Sequence, residues 1–133
     1  MKTTYSRSAN KVFLSSIIIG LISQAILALV KYLFNYQGYA YIDGVFVLLL
    51  GISILALYII SKDILIAYAI RYVSIFLGFN IVMAFVYMLG FVDDFKSIIV
   101  GLSYVINMAT VIISSIILGK KMGCLDEVLG RKN

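Results

Sequence analysis

Four apolar runs, 12–30, 45–60, 72–92 and 97–119, each bounded by charged side chains, constrain this chain more than any other feature. A helix rises about 1.5 Å per residue, so a run of about twenty residues crosses the roughly 30 Å hydrocarbon core of a bilayer once. Alternating segments of about ten residues, the mark of a membrane barrel, are not seen. The pattern predicts an all-α, polytopic membrane protein: a four-transmembrane-helix bundle, one domain over 1–133, with a tail at 120–133. Proline is absent from the sequence, so no span is interrupted by one, as discontinuous carrier helices often are.

Composition supports this and removes much chemistry. The chain is 63% apolar and 13% charged with a mean hydropathy of +1.10, against a soluble average of about 45–50% apolar and about 25% charged. There is no histidine and Cys124 is the single cysteine. Cys/His zinc sites, bis-imidazole haem, histidine-dependent triads and an intrachain disulfide are thereby excluded. No catalytic residue, cofactor or metal site is expected. The net charge of +5 comes from basic residues scattered around apolar runs rather than from a patch, so nucleic acid is not an expected partner.

The basic residues do specify an orientation. With four spans, Lys2, Arg7, Lys11, Lys62, Arg71, Lys120, Lys121, Arg131 and Lys132 fall on the side of the termini, and only Lys31 and Lys96 on the other. The positive-inside rule then predicts a cytoplasmic-membrane protein with both termini in the cytoplasm. The run at 12–30 exceeds the usual 7–15 residues of a signal-peptide core and is read as a retained span. Between the first two spans, Tyr32, Tyr36, Tyr39 and Tyr41 suggest an interfacial aromatic belt, and Asp43 is positioned to cap the second helix.

Polar residues inside the spans must find protein partners or water. On the fourth span Ser103, Asn107, Thr110 and Ser114 recur at i, i+4, i+7 and i+11, one helical stripe; on the first, Ser16, Gly20, Ser23 and Gln24 share a face. Gln24, Asn80 and Asn107 all lie within roughly 5 Å of the midpoints of their spans at the helical rise, so three carboxamides are expected at one level. The predicted interior polar seam is Gln24, Asn80, Ser103, Asn107, Thr110 and Ser114. It reads either as hydrogen-bonding glue between helices or as a hydrophilic path. Gly20, Ser74, Gly78 and Gly101 are the expected helix-packing positions, and Ser97/Gly101 and Ser115/Gly119 form small-xxx-small pairs that suggest contact between subunits. The second span offers only Gly51 and Ser53 and is expected to face lipid.

The third span is ambiguous. A single membrane helix over 64–92 would measure about 43 Å, whereas 72–92 alone already gives about 31 Å. Arg71 is therefore placed at the cytoplasmic boundary as an anchor, together with Lys120 and Lys121. The apolar stretch 64–70 is expected to continue the helix beyond the core, started by an Asp63 cap, and to be covered by the end of the second span or a neighbouring subunit. In the tail, Leu125, Val128 and Leu129 form an apolar face suited to a cytoplasmic partner.

Small multidrug transporters are similar in size and four-span layout, but they carry a glutamate inside the first span where this chain has Gln24. The leading functional expectation is a non-enzymatic, homo-oligomeric pore or permeation component. The alternative is an accessory or assembly subunit of a larger membrane complex or cytoplasmic effector.

Overall fold

The computed structural model describes residues 5–35, 37–89 and 95–130, with side chains for 5–35, 40–89 and 98–130. The described residues form six helices: α1 (Arg7–Leu33), α2 (Gln37–Ile60), α3 (Lys62–Ala67), α4 (Ala69–Met88), α5 (Phe95–Lys121) and α6 (Leu125–Val128). Four of them, α1, α2, α4 and α5, are long and apolar enough to cross a membrane. The chain is thus all-helical among its described residues, with the four long apolar helices its composition predicts.

Local chemistry explains the ends. The Ser6 hydroxyl accepts the Ala9 N–H at 3.2 Å and caps α1, which relieves one of the orphan donors of a first turn. At the other end Asn35 takes φ of 69°, a left-handed stop that asparagine tolerates. α2 starts at Gln37, well ahead of the expected second span, which corrects the role given to Asp43. It lies in the second turn of the helix and caps nothing.

The α3–α4 segment is nearly the continuous helix expected from 64–92, with one break. Tyr68 sits at φ −94°, ψ 2°, between the two helices, and its N–H still reaches the Ile64 and Leu65 carbonyls at 3.1 Å. Ser61, not Asp63, occupies the cap position of α3, without a side-chain bond; Asp63 instead pairs with Arg7 at 2.9 Å. Leu65 and Ile66 are buried within the protomer while Ile64 is 41% exposed. The cover over this stretch is α1 and α2, with Leu65 and Ala69 joining Ala9, Phe13 and Ile17 in the core.

α1 is the central helix and packs against α2, α4 and α5. α2 lies on the outside: 11% of its apolar window is buried, against 39%, 33% and 39% for α1, α4 and α5. Close approaches at two glycines join α1 to α5 and α5 to α4. A Cβ on Gly20 would lie 2.3 Å from Val111 Cγ2, and one on Gly101 would lie 2.3 Å from Met88 Cγ. Ser74 and Gly78, by contrast, are exposed, and a Cβ on Gly78 would meet nothing within 4 Å. Those two expected packing positions are not helix contacts within the protomer. Ser115 and Gly119 face inward, Ser115 onto Ser16 and Gly119 onto α6, so this pair is used inside the protomer rather than between subunits.

The ends of α1 and α5 and the α3 junction meet at one end of the bundle. There the tail folds back: the Ser6 N–H donates to Glu127 Oε2 at 2.5 Å and its hydroxyl to Oε1 at 2.7 Å. The boundary residues Asp93, Asp94 and Tyr36, and the side chains of Tyr39, Lys96 and Ser97, lie outside the described set.

Candidate functional site

The bundle interior carries a row of polar side chains between α1 and α5, with α4 and α2 contributing from the sides. At its middle level Gln24, Asn80 and Asn107 are all fully buried. Asn80 Nδ2 donates to Gln24 Oε1 at 3.4 Å and to its own helix at Phe76 O at 2.8 Å. Asn107 Nδ2 donates to Asn80 Oδ1 at 3.3 Å, and the Ser23 hydroxyl donates to Asn107 Oδ1 at 3.3 Å. The three carboxamides placed at one depth by helical rise thus form one hydrogen-bonded group across α1, α4 and α5.

Towards the end that holds both termini comes an apolar layer of Gly20, Val111 and Phe76, and beyond it the Ser115 hydroxyl donates to Ser16 Oγ at 2.9 Å. Towards the opposite end, about 10 Å from Gln24 by helical rise, lies a cluster that the sequence reading missed. Lys31 Nζ and Asp43 Oδ2 pair at 2.5 Å with side-chain exposures of 6% and 0%. The Tyr104 hydroxyl donates to Asp43 Oδ1 at 2.7 Å, and the Lys31 ammonium lies 4.3 Å from the Tyr104 ring centroid. Tyr87 stacks on Tyr104 at 6.2 Å, and Phe79 meets it edge-on at 6.1 Å. Lys31, read from the sequence as a boundary charge, is therefore an interior one. From Ser16 to Lys31 the seam covers about 22 Å of helix.

The predicted α5 stripe is rotated by about one residue. The buried positions are Val100, Tyr104, Asn107, Val111 and Ser115, with Ser103 beside them; Thr110 and Ser114 are half-buried on the flank. Thr110 donates to the Ile106 carbonyl of its own helix at 2.8 Å, and Ser103 to Val100 at 2.6 Å. A hydroxyl satisfied in this way has no need of a neighbouring helix, so hydroxyls report a helix's inward face poorly. Carboxamides, with two donors and an acceptor, cannot close locally. The signal for the missed cluster was present: Asp43 sits among apolar residues in "YAYIDGVFV", twelve residues after an equally isolated Lys31.

The anchor residues are at the surface. Arg71 is exposed, with its guanidinium 4.6 Å from the Tyr68 ring, and Lys120 and Lys121 are exposed in the last turn of α5. Among the described residues no group of three or more His, Cys, Asp or Glu side chains is placed to hold a metal. Comparison with protein families, curated proteins and solved structures found no match.

Proposed function

We propose that the chain is a small, non-enzymatic, multi-pass protein of the cytoplasmic membrane, with both termini in the cytoplasm, that acts as a permeation component. The carrying observation is that three carboxamides and one Lys–Asp pair share a single interior row while the outer faces of the helices present Ile, Leu and Val. Polar and charged groups inside a membrane are costly and mark solute pathways. The path in this reading runs through each protomer, because subunits joined through their outer faces would enclose an apolar axis. The Gly20, Val111 and Phe76 layer is its constriction, of the apolar kind that gates by dewetting. The orientation rests on the positive-inside bias, which sharpens once Lys31 is paired with Asp43 and leaves Lys96 as the one basic residue of the opposite side.

A second reading is favoured by the closure of that same layer: the seam is interhelical glue, and the chain is a packing subunit of a larger membrane complex. Ion and solute flux into liposomes containing the purified chain separates the two. The permeation reading expects flux per folded protein that falls several-fold in Asn107→Leu. Absence of flux, with the chain stable only beside a second protein, supports the packing subunit. Labelling of Cys124 by a membrane-impermeant maleimide only after cells are permeabilised is the expected outcome for cytoplasmic termini.

A further inference from the structure

At the end of the bundle that holds both termini, the tail folds over the helices it follows. α5 stops in a Schellman turn at Gly123, which sits at φ 75°. There the Cys124 N–H returns to the Gly119 carbonyl at 2.9 Å and the Gly123 N–H to the Lys120 carbonyl at 3.3 Å. The turn sends α6 back onto α5 and α1. Gly119 makes room for it: a Cβ there would lie 3.3 Å from both Leu125 Cα and Val128 Cγ2. Glu127 fastens it, with one oxygen accepting the Ser6 N–H and the other the Ser6 hydroxyl, so that a carboxylate meets the positive end of α1.

Beneath α6 lies a cavity of about 230 Å³. Its walls include Phe13 of α1, Val73 of α4, and Val111 and Ser115 of α5, while Tyr5 and Val128 bound it on the side of the termini. Tyr5 is held edge-on to Phe13 at 5.0 Å between ring centroids. Val111 also belongs to the apolar layer with Gly20 and Phe76, and Ser115 carries the hydrogen bond to Ser16. The cavity is therefore the last chamber of the polar row, set between that layer and the tail. From Val111 to the Gly119 seat it covers about 12 Å of α5.

We propose that α6 is a lid on this chamber, turning at Gly123 and latched to the first turn of α1 through Glu127 and Ser6. A four-residue helix has no stability of its own, since isolated helices shorter than about 12 residues are marginal in water. Its closed position depends on the latch and on the packing of Val128 against the core cluster. A segment held in this way opens locally while the bundle stays folded. Because the latch joins residue 6 to residue 127, release of the tail also removes a bond from the start of α1, and the two ends of the chain open as one unit. Passage of a solute through the opened chamber rests on the permeation reading; the lid itself does not.

Thiol access in detergent tests the lid. In a Cys124→Ser background, Ser115→Cys places a reporter in the chamber and Ser23→Cys places one beyond the apolar layer. The Ser115→Cys thiol is expected to react slowly with N-ethylmaleimide, and several-fold faster when the latch is removed by Glu127→Ala or the seat is filled by Gly119→Leu. The Ser23→Cys rate is expected to stay level. Equal Ser115→Cys rates with and without those substitutions would mean that α6 covers nothing, and acceleration of both thiols together would mean that the whole bundle loosens; either overturns the proposal. The wild-type chain supplies a second measurement that no misfolded variant can blunt. In micelles the Ser6 and Val128 amides are expected to share one degree of protection from hydrogen exchange, and unrelated protection of the two overturns the lid as a unit. Faster Ser115→Cys labelling without any flux into liposomes keeps the lid and removes the permeation reading; flux in the wild type with unchanged labelling does the reverse.

Discussion

Lys31, in the last turn of α1, and Asp43, in the second turn of α2, form a 2.5 Å ion pair buried to 6% and 0% side-chain exposure. The pair ties consecutive helices, and Tyr104 brings in α5 through the second carboxylate oxygen.

Breaking the pair on one side leaves an unmatched buried charge, which costs about 3–5 kcal/mol, whereas replacing both partners with apolar groups is often neutral or stabilising. Lys31→Met and Asp43→Leu are each expected to lower the Tm in detergent strongly. The double variant is expected to recover most of that loss. If the double variant is as unstable as the singles combined, the cluster is held by something other than charge matching.

Gly20 and Gly78 provide a second contrast on stability. A Cβ at Gly20 would intrude on Val111 Cγ2 at 2.3 Å and Phe76 Cζ at 3.1 Å, and such overpacking typically costs about 1–3 kcal/mol. Gly20→Ala is expected to destabilise by that order and to be rescued in part by Val111→Ala. Gly78→Ala meets open space and gains up to about 1 kcal/mol of helix propensity, so its Tm is expected to stay level or rise. Thermal unfolding of these variants in one detergent checks both.

These contrasts also show what the sequence made legible. The number of helices long and apolar enough to cross a membrane followed from hydropathy, because burying or lipid-facing an apolar run depends on composition more than on partners. The depth at which Gln24, Asn80 and Asn107 meet followed from helical rise alone. What did not follow depended on rotation and on helix starts. A one-residue rotation of α5 exchanges Thr110 and Ser114 for Val111 and Ser115, and hydroxyls that bond their own backbone carry little information about it. The true start of α2 turns Asp43 from a loop cap into a buried charge, and that start lies in a polar, aromatic segment with no proline to mark it. Gly78 and Gly101 are alike as letters, and only the approach of Met88 distinguishes them.

The tail offers a third test. Glu127 receives the Ser6 N–H and hydroxyl, placing a carboxylate at the positive end of α1, an arrangement worth about 0.3–1 kcal/mol at an exposed site. Val128 packs against the core cluster. Val128→Asp is expected to release α6 and expose Cys124, now half-buried, to faster maleimide labelling in detergent. Glu127→Gln is expected to give a smaller acceleration. Unchanged rates in both variants would mean that the tail is not held on the bundle in solution.

The last prediction concerns the stretch "ILIAYAI". The sequence leaves its cover open between the end of the second span and a neighbouring subunit, and the fold itself buries Leu65, Ile66 and Ala69. Leu65 and Ile66 are each 3% exposed, while Ile64 is 41% exposed. Truncating a buried leucine or isoleucine costs about 2–5 kcal/mol, and adding a hydroxyl to the gap adds to it. Leu65→Ser and Ile66→Ser are therefore expected to lower the Tm of the chain whatever its oligomeric state. Ile64→Ser, on the outer side of the same short helix, is expected to leave the Tm unchanged. Its effect on the mass of the detergent-solubilised particle then isolates assembly from folding. A fall in mass would mean that a second copy covers Ile64, and an unchanged mass would mean that α3 completes its packing within one protomer.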